Sequence, residues 1–110
     1  MNIKVTSRHF KSHKFLTDYV ESSIEELTHF YDGIINAEVI FSYEKSRNSV
    51  KIAEITLSVY GTILAGIGKS EDFEKSVDMA IAKLKTRLKK YKEKLHSKDR
   101  KGVRRMRLKE

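Results

Sequence analysis

Four stretches of the chain alternate apolar and polar residues with a period of two, which is typical of half-buried strands. The first is NIKVTS at residues 2–7. The next two are AEVIFSYEK at 37–45 and AEITLSVYG at 53–61, with a turn predicted over residues 46–49. The last is TILAGIG at 62–68. The alternation therefore predicts four short strands.

The same alternation predicts which strand residues face the core. Val50 and Ile52 are out of phase with the inward residues that follow them, so we expect a β-bulge or a bend near Ala53. The inward set in the first three strands is Ile3, Val5, Val39, Phe41, Tyr43, Ile55, Leu57 and Val59.

Two longer stretches repeat apolar residues every three or four positions, which predicts two amphipathic helices. The first runs from a cap at Ser12 to about Tyr31, and the Asp-Gly pair at 32–33 ends it. The second begins after a cap at Ser70 and extends to about residue 95. The first apolar stripe contains Leu16, Val20, Ile24, Leu27 and Tyr31, widened by Phe15, Tyr19 and Phe30. The second contains Phe73, Val77, Ile81, Leu84, Leu88, Tyr91 and Leu95.

The predicted element order is β-α-β-β-β-α. This order indicates an α+β fold, a four-stranded sheet with two helices packed on one face. The chain has 110 residues, 39% of them hydrophobic, which suits one domain with its own core. We assign residues 1–95 to that domain. Residues 96–110 lack an apolar pattern, so we predict a basic, disordered C-terminal tail.

Composition excludes several classes of protein. The chain has no Cys, so a disulfide framework and a thiolate metal site are both impossible. No stretch approaches the ~18 consecutive apolar residues of a membrane span, and the start has no apolar signal region. We therefore expect a cytoplasmic protein that does not associate with a membrane.

Positive charge is concentrated at the C-terminal end of the chain. Residues 1–82 carry 9 Lys and Arg against 12 Asp and Glu, whereas residues 83–110 carry 14 against 3. Like charges three or four apart on a helix repel by a few tenths of a kcal/mol per pair. A bound phosphate backbone would neutralise this repulsion, and counterion release would then drive binding.

The cations of the second helix fall into two rows beside its apolar stripe, because successive residues are about 100° apart. The first cationic row is Lys83, Arg87, Lys90 and Lys94, and it spans ~16 Å, enough for about two or three phosphates. The alternative is a solvated lysine-rich helix, which the charge asymmetry disfavours. The second cationic row is Lys85, Lys89 and Lys92. The predicted RNA-binding residues are both rows together with Arg100, Lys101, Arg104 and Arg105 of the tail.

Three other patterns fail as chemical sites. GIGKS at 66–70 resembles the end of a phosphate-binding loop, but Ile63 stands where that loop needs Gly. His9 and His13 have a helical metal-ligand spacing without a third ligand, which indicates surface histidines. The acidic pair Asp72 and Asp78 lies on a solvated helix with no pocket implied. We therefore expect no cofactor, no metal and no enzymatic activity.

Three stretches of sequence carry a family pattern: YDGI at 31–34, AEITLSVYG at 53–61 and GKSEDFEKSVDMAIAKLKTRLKKYKEKL at 68–95. They resemble the ribosome hibernation promoting factors, and the resemblance covers residues 1 to about 95. This family is also called ribosome-associated inhibitor A or the light-repressed proteins, and was once described as sigma-factor modulators. The final-helix pattern is carried here by Asp72, Val77-Asp78, Lys83-Leu84 and Lys90-Tyr91-Lys92.

The resemblance implies the same β-α-β-β-β-α fold, which is similar in shape to double-stranded RNA-binding domains. It also implies binding to the small ribosomal subunit, in the channel where mRNA and tRNAs sit. The protein would occlude those sites and keep idle ribosomes intact during starvation or stationary phase. Lys83, Lys90, Lys92 and Lys94 stand where the family has basic residues that face ribosomal RNA.

The chain departs from the family pattern at two positions. Glu74 stands where Tyr is frequent, and Thr86 stands where a basic residue is common, with Arg87 next to it. Long family members carry a second, dimer-forming domain, so the chain resembles a short-type member. We expect it to be monomeric when free and to have no small-molecule substrate.

Two other functions stay open at this point. The shape and the cations alone also suit a free-standing double-stranded RNA-binding protein, and the older family name suggests an interaction protein that modulates transcription. The sequence also leaves open whether bound ribosomes stay single or pair, which other factors assist, and whether the source is a bacterium or a plastid.

Overall fold

The computed structural model describes the backbone of residues 2–8, 14–44 and 47–109, and their side chains except those of 47–49 and 95–109. The elements are β1 (Asn2–Ser7), α1 (Lys14–Phe30), β2 (Ile34–Glu44), β3 (Arg47–Val59), β4 (Thr62–Ser70) and α2 (Phe73–Lys109). The predicted β-α-β-β-β-α order is therefore confirmed.

The four strands form one sheet in the order β1-β2-β3-β4. β1 and β2 are parallel, since α1 crosses between them, and the other two pairs are antiparallel. Val5 pairs with Val39, and Val39 pairs with Ile55, so that the inward residues of three strands form a continuous apolar face. β1 and β4 are the two edge strands.

Both helices contribute to a single core on that apolar face. Phe15 and Phe30 differ from the prediction: they are 65% and 38% exposed, because they lie at the two ends of α1. Phe15 instead stacks on Tyr19, with ring centroids 6.4 Å apart. The buried apolar residues are Leu16, Val20, Ile24 and Leu27 of α1, Ile34, Ala37, Val39, Phe41, Ala53, Ile55, Leu57 and Val59 of the sheet, and Phe73, Val77, Ala80, Ile81, Leu84 and Leu88 of α2.

The turn predicted over residues 46–49 is too long. β3 already begins at Arg47, which pairs with Glu44 at the end of β2. Residues 47–49 of the predicted turn therefore belong to β3, and residues 45–46 lie outside the described residues. Backbone pairing across the hairpin extends the strands further than the polar composition of this segment indicated.

The bulge predicted near Ala53 is also wrong. Ala53 is fully buried and pairs in register with Phe41 of β2, whereas the two register shifts of this strand pair lie between Ile34 and Asn36 and between Tyr43 and Glu44. Val50 and Ile52 are half-buried. Ile52 pairs with Ser42 and therefore lies on the opposite face from Ala53, and the strand is unbroken at Ala53.

The second helix is capped two residues later than predicted. The amide of Glu74 donates to Asp72 Oδ1 at 3.1 Å, and the amide of Ser76 donates to the Asp72 carbonyl oxygen at 3.0 Å. Asp72 is therefore the N-cap. Ser70 still pairs with Lys51 as the last residue of β4, and its Oγ accepts from the Asp72 amide at 3.2 Å.

The glycines of GIGKS have a packing role. A Cβ atom at Gly66 would lie 2.6 Å from the Ala80 carbonyl oxygen, and one at Gly68 would overlap the Ser76 carbonyl oxygen. Only residues without a Cβ let the backbone of α2 approach β4 this closely. These two contacts also show that α2 runs antiparallel to β4.

The backbone of α2 is helical as far as Lys109, and the assignment of residues 96–110 to a disordered tail stays a prediction. The side chains of this segment lie outside the description. The boundary between domain and tail at residue 95 stays a prediction. Across the described residues, no helix has both the length and the apolar composition needed to cross a bilayer.

Candidate nucleic-acid interface

The first cationic row lies on the side of α2 that borders β4. Lys83 fixes this side, because its Nζ donates to the main-chain oxygen of Ile67 at 2.6 Å. Arg87, Lys90 and Lys94 are exposed along the following turns. β4 contains no acidic residue, so nothing on the neighbouring strand offsets the positive field of this row.

The second cationic row borders α1, and its surroundings are acidic. Lys85 lines a shallow groove between the helices together with Glu26 and Asp78. α1 as a whole carries four acidic residues and one lysine. Lys89 is exposed, whereas Lys92 is half-buried against the end of α1. The structure therefore brings both predicted rows together on α2, and it makes the first row the more electropositive surface.

Two of the predicted RNA-binding lysines, Lys83 and Lys92, donate hydrogen bonds to main-chain oxygens of other elements of the domain. Lys92 Nζ donates to the main-chain oxygen of Phe30, the last residue of α1, at 3.0 Å, and lies 4.7 Å from the centre of the Phe30 ring. A cation at a helix C-terminus interacts favourably with the helix dipole. Lys83 likewise bonds an edge carbonyl of β4. These contacts hold α2 in place on both sides.

Lys92→Ala should lower the free energy of unfolding by about 1 kcal/mol, because it removes a helix-terminus contact and an exposed cation–π contact together. Lys89→Ala, one turn away on the exposed side, should change it by less than about 0.5 kcal/mol. Urea unfolding of both variants provides the measurement. Equal losses at the two positions would mean that Lys92 is only another surface lysine.

The structure does not describe the side chains of the remaining predicted site residues. Arg100, Lys101, Arg104 and Arg105 fall on the helical backbone of α2, without described side chains. His9 and His13 lie outside the described residues altogether. Among the described residues, no group of three or more His, Cys, Asp or Glu could hold a metal ion.

Asp78 joins the two helices. Tyr19 Oη of α1 donates a 2.5 Å hydrogen bond to Asp78 Oδ1 of α2. This bond, together with burial and the charge of Asp78, raises the pKa of Tyr19 to about 12. Asp72 caps α2, so both members of the acidic pair considered from sequence have structural contacts.

The Tyr19–Asp78 bond should give the domain a measurable alkaline pH dependence. The folded-state pKa is raised above the ordinary value of 10.0, so the stabilisation is complete below pH 10 and is lost as pH rises towards 12. Tyr19→Phe should cost about 0.5–1 kcal/mol at pH 8, discounted for solvent exposure. The difference in free energy of unfolding between Tyr19→Phe and the original chain should become smaller above pH 10.

Urea unfolding between pH 8 and pH 11 measures this dependence. Tyr60→Phe is the matched control, since it removes the hydroxyl from a ring that is 82% exposed. A Tyr19→Phe variant as stable as the control at pH 8 would contradict the assigned bond.

The two departures from the family pattern have local roles. The amide of Glu74 donates to the Asp72 cap, and its carboxylate lies in the first turn of α2, where the helix dipole favours an anion. Thr86 is exposed, and its Oγ1 donates to the Ala82 carbonyl oxygen at 3.3 Å. Thr86 therefore adds no charge to the face between the two cationic rows.

A tyrosine pair near the cationic rows was not predicted as part of the site. Tyr91 Oη donates to the main-chain oxygen of Tyr60 at 2.5 Å. The two residues are 31 positions apart. Tyr91 was predicted only as a member of the apolar stripe, and Tyr60 only as the end of a strand. No local pattern joins them, so the sequence alone could not show this contact.

Comparison with known proteins places the chain in a family. Residues 3–96 match the model of the Sigma 54 modulation protein / S30EA ribosomal protein family. The chain belongs to this family. The matched residues include β1 from Ile3 onwards, β2 to β4 and the part of α2 that carries both cationic rows, and the resemblance stated from sequence is confirmed.

Curated family members are similar over most of their length. The ribosome hibernation promoting factor of Pseudomonas putida is 31% identical over 97 residues, which cover 88% of this chain and 92% of that protein. The factor of the same name from Azotobacter vinelandii is 31% identical over 94 residues, 86% of this chain and 85% of that protein.

Two solved structures share the fold of this chain. A ribosomal subunit interface protein from Coxiella burnetii matches with a TM-score of 0.76 and 28% identity, over 84% of this chain and 98% of that one. The N-terminal domain of Protein Y from Thermus thermophilus matches with a TM-score of 0.72 and 27% identity, over 83% of this chain and 99% of that one. The predicted α+β fold class is therefore confirmed.

Proposed function

We propose that this protein is a ribosome hibernation factor that binds the small ribosomal subunit in the mRNA and tRNA channel. It would keep idle ribosomes inactive and intact under stress and in stationary phase. The observation that carries the proposal is the first cationic row, an exposed line of four cations beside a strand without acidic residues.

The geometry of this row suits a ribosomal RNA backbone. Its ~16 Å length matches a few successive phosphates, and its position at a sheet edge leaves it accessible from outside the domain. The two Pseudomonas and Azotobacter relatives are named as hibernation factors, and the Coxiella relative as a subunit interface protein. Together these names and the charge support ribosomal RNA as the polyanion.

Inhibition of this kind needs no chemistry. A folded domain held in the channel by charge excludes mRNA and initiator tRNA by its volume alone, so no cofactor, substrate or catalytic residue is required. The protein would act in the cytoplasm, where ribosomes are, and as a monomer when free.

Sedimentation with purified ribosomal subunits tests the proposal against its alternatives. The protein should co-migrate with small subunits and whole ribosomes, and a structured mRNA with initiator tRNA should compete for that binding. Binding to any duplex RNA with equal affinity would favour a free-standing double-stranded RNA-binding protein. Absence of binding to both would favour a transcription-modulating interaction protein.

The C-terminal tail should strengthen binding without causing inhibition. Residues 96–110 carry a net charge of +5, which we propose lies along ribosomal RNA. A chain of residues 1–95 should bind more weakly by a salt-sensitive amount, with a log K against log salt slope reduced by about one to several units. It should still inhibit translation in vitro at saturating concentration. Full translation despite confirmed occupancy would make the tail the inhibitor.

A further inference from the structure

Tyr60 has an aromatic side chain that the fold does not use. Its side chain is 82% exposed, more than any other large apolar side chain in the described part of the chain. It lies in the two-residue turn between β3 and β4, since Val59 pairs with Thr62. Such turns favour Asn, Asp and Gly, and Gly61, with φ 81°, meets that need. Neither the core nor the turn requires a ring at this position.

The backbone of Tyr60 is fixed next to the cations of α2. Tyr91 Oη donates to the Tyr60 carbonyl oxygen at 2.5 Å, and the Tyr91 ring meets Tyr31 edge-on at 5.7 Å. Arg87 and Lys94 lie about one helical turn to either side of Tyr91. The turn therefore lies at the C-terminal end of the first cationic row.

We propose that Tyr60 stacks on an unpaired nucleobase of the RNA whose phosphates the first cationic row binds, a role that rests on the proposed function. A groove or row of cations holds the backbone of a single strand, and an exposed aromatic ring holds a base, because every base has a π-face. A paired duplex keeps its base faces stacked, so this site takes a single-stranded segment, loop or bulge.

Two substitutions separate stacking from charge. Tyr60→Ala should weaken binding to small ribosomal subunits and to a 12-nucleotide oligo(A) RNA by about 5- to 100-fold, while Tyr60→Phe retains affinity. The slope of log K against log salt should not change, since no phosphate contact is lost. Lys90→Ala should instead reduce that slope by about one. Tyr91 bonds only the main chain of residue 60, so both Tyr60 variants should keep the melting temperature of the original chain.

A tryptophan variant reports the stack directly. The chain has no Trp, so Tyr60→Trp places a single tryptophan at the site, whose fluorescence can be excited separately from that of the four remaining tyrosines. Oligo(A) should quench its fluorescence, whereas an oligomer of the same length that keeps the ribose phosphates but lacks bases should bind without quenching. Equal affinity of Tyr60→Ala and the original chain, or no quenching by oligo(A), would overturn the proposal. Failure of the original chain to sediment with small subunits would instead contradict the proposed function, and the oligonucleotide titrations decide the stacking in either case.

Discussion

Replacing Arg87, Lys90 and Lys94 together by Glu should abolish binding to the small ribosomal subunit. Two unit charges 4 Å apart interact by about 1 kcal/mol in water, so turning attraction into repulsion at three phosphates amounts to about 6 kcal/mol before screening. The original chain should show a log K against log salt slope of roughly −3 to −5. Lys83 is left unchanged, because its bond to Ile67 would confuse a loss of binding with a loss of packing.

The matched control changes the same amount of charge elsewhere. Lys4, Lys14 and Lys75 are exposed and lie outside both cationic rows and outside β4, so their triple replacement by Glu lowers the net charge equally. Sedimentation and circular dichroism of both triple variants give the comparison. If the row variant is folded and binds as well as the control, the first cationic row is not the RNA-binding surface.

Leu84→Ala should destabilise the domain by about 2–5 kcal/mol, a large share of the stability of a small domain. Leu84 is fully buried in the middle of the α2 stripe, in the same cluster as residues from α1 and all of the central strands. The corresponding fall in melting temperature is about 10–30 °C. Ribosome binding should fall with it near physiological temperature, since the cationic rows are held in place only while α2 is docked.

Met79→Ala provides the control for this core substitution. Met79 is on the same helix and loses a side chain of similar size, but it is 41% exposed. The melting temperature of the Met79→Ala variant should differ from that of the original chain by only a few degrees. If Leu84→Ala has the same melting temperature as Met79→Ala, α2 is not docked on the sheet through this stripe.

The element order could be predicted because each element carries its own period. The alternation through Ile55, Leu57 and Val59 and the spacing of Val77, Leu84 and Leu88 both report burial directly, and all six residues are buried. Element ends were harder to predict, since pairing with distant residues decides them. Ser70 has good capping chemistry, yet it pairs with Lys51 in the sheet, and the cap passes to Asp72.

The candidate site could also be predicted only in part from the sequence. Helical geometry alone places the cations in two rows, and both rows occur on α2. Their different surroundings were not visible in the sequence, because Lys83 bonds a residue 16 positions away and Lys92 bonds one 62 positions away. The proximity of Tyr60 to the first cationic row likewise depends on the bond from Tyr91 of α2 to the turn between β3 and β4, which only the folded chain makes.

A cryo-electron microscopy map of the protein on small ribosomal subunits tests the central claim most directly. We predict density for the four-stranded sheet and two helices in the channel of mRNA and tRNA, with Arg87, Lys90 and Lys94 facing ribosomal RNA phosphates. Density at another site on the subunit, or in the channel with the first cationic row turned towards solvent, would contradict it.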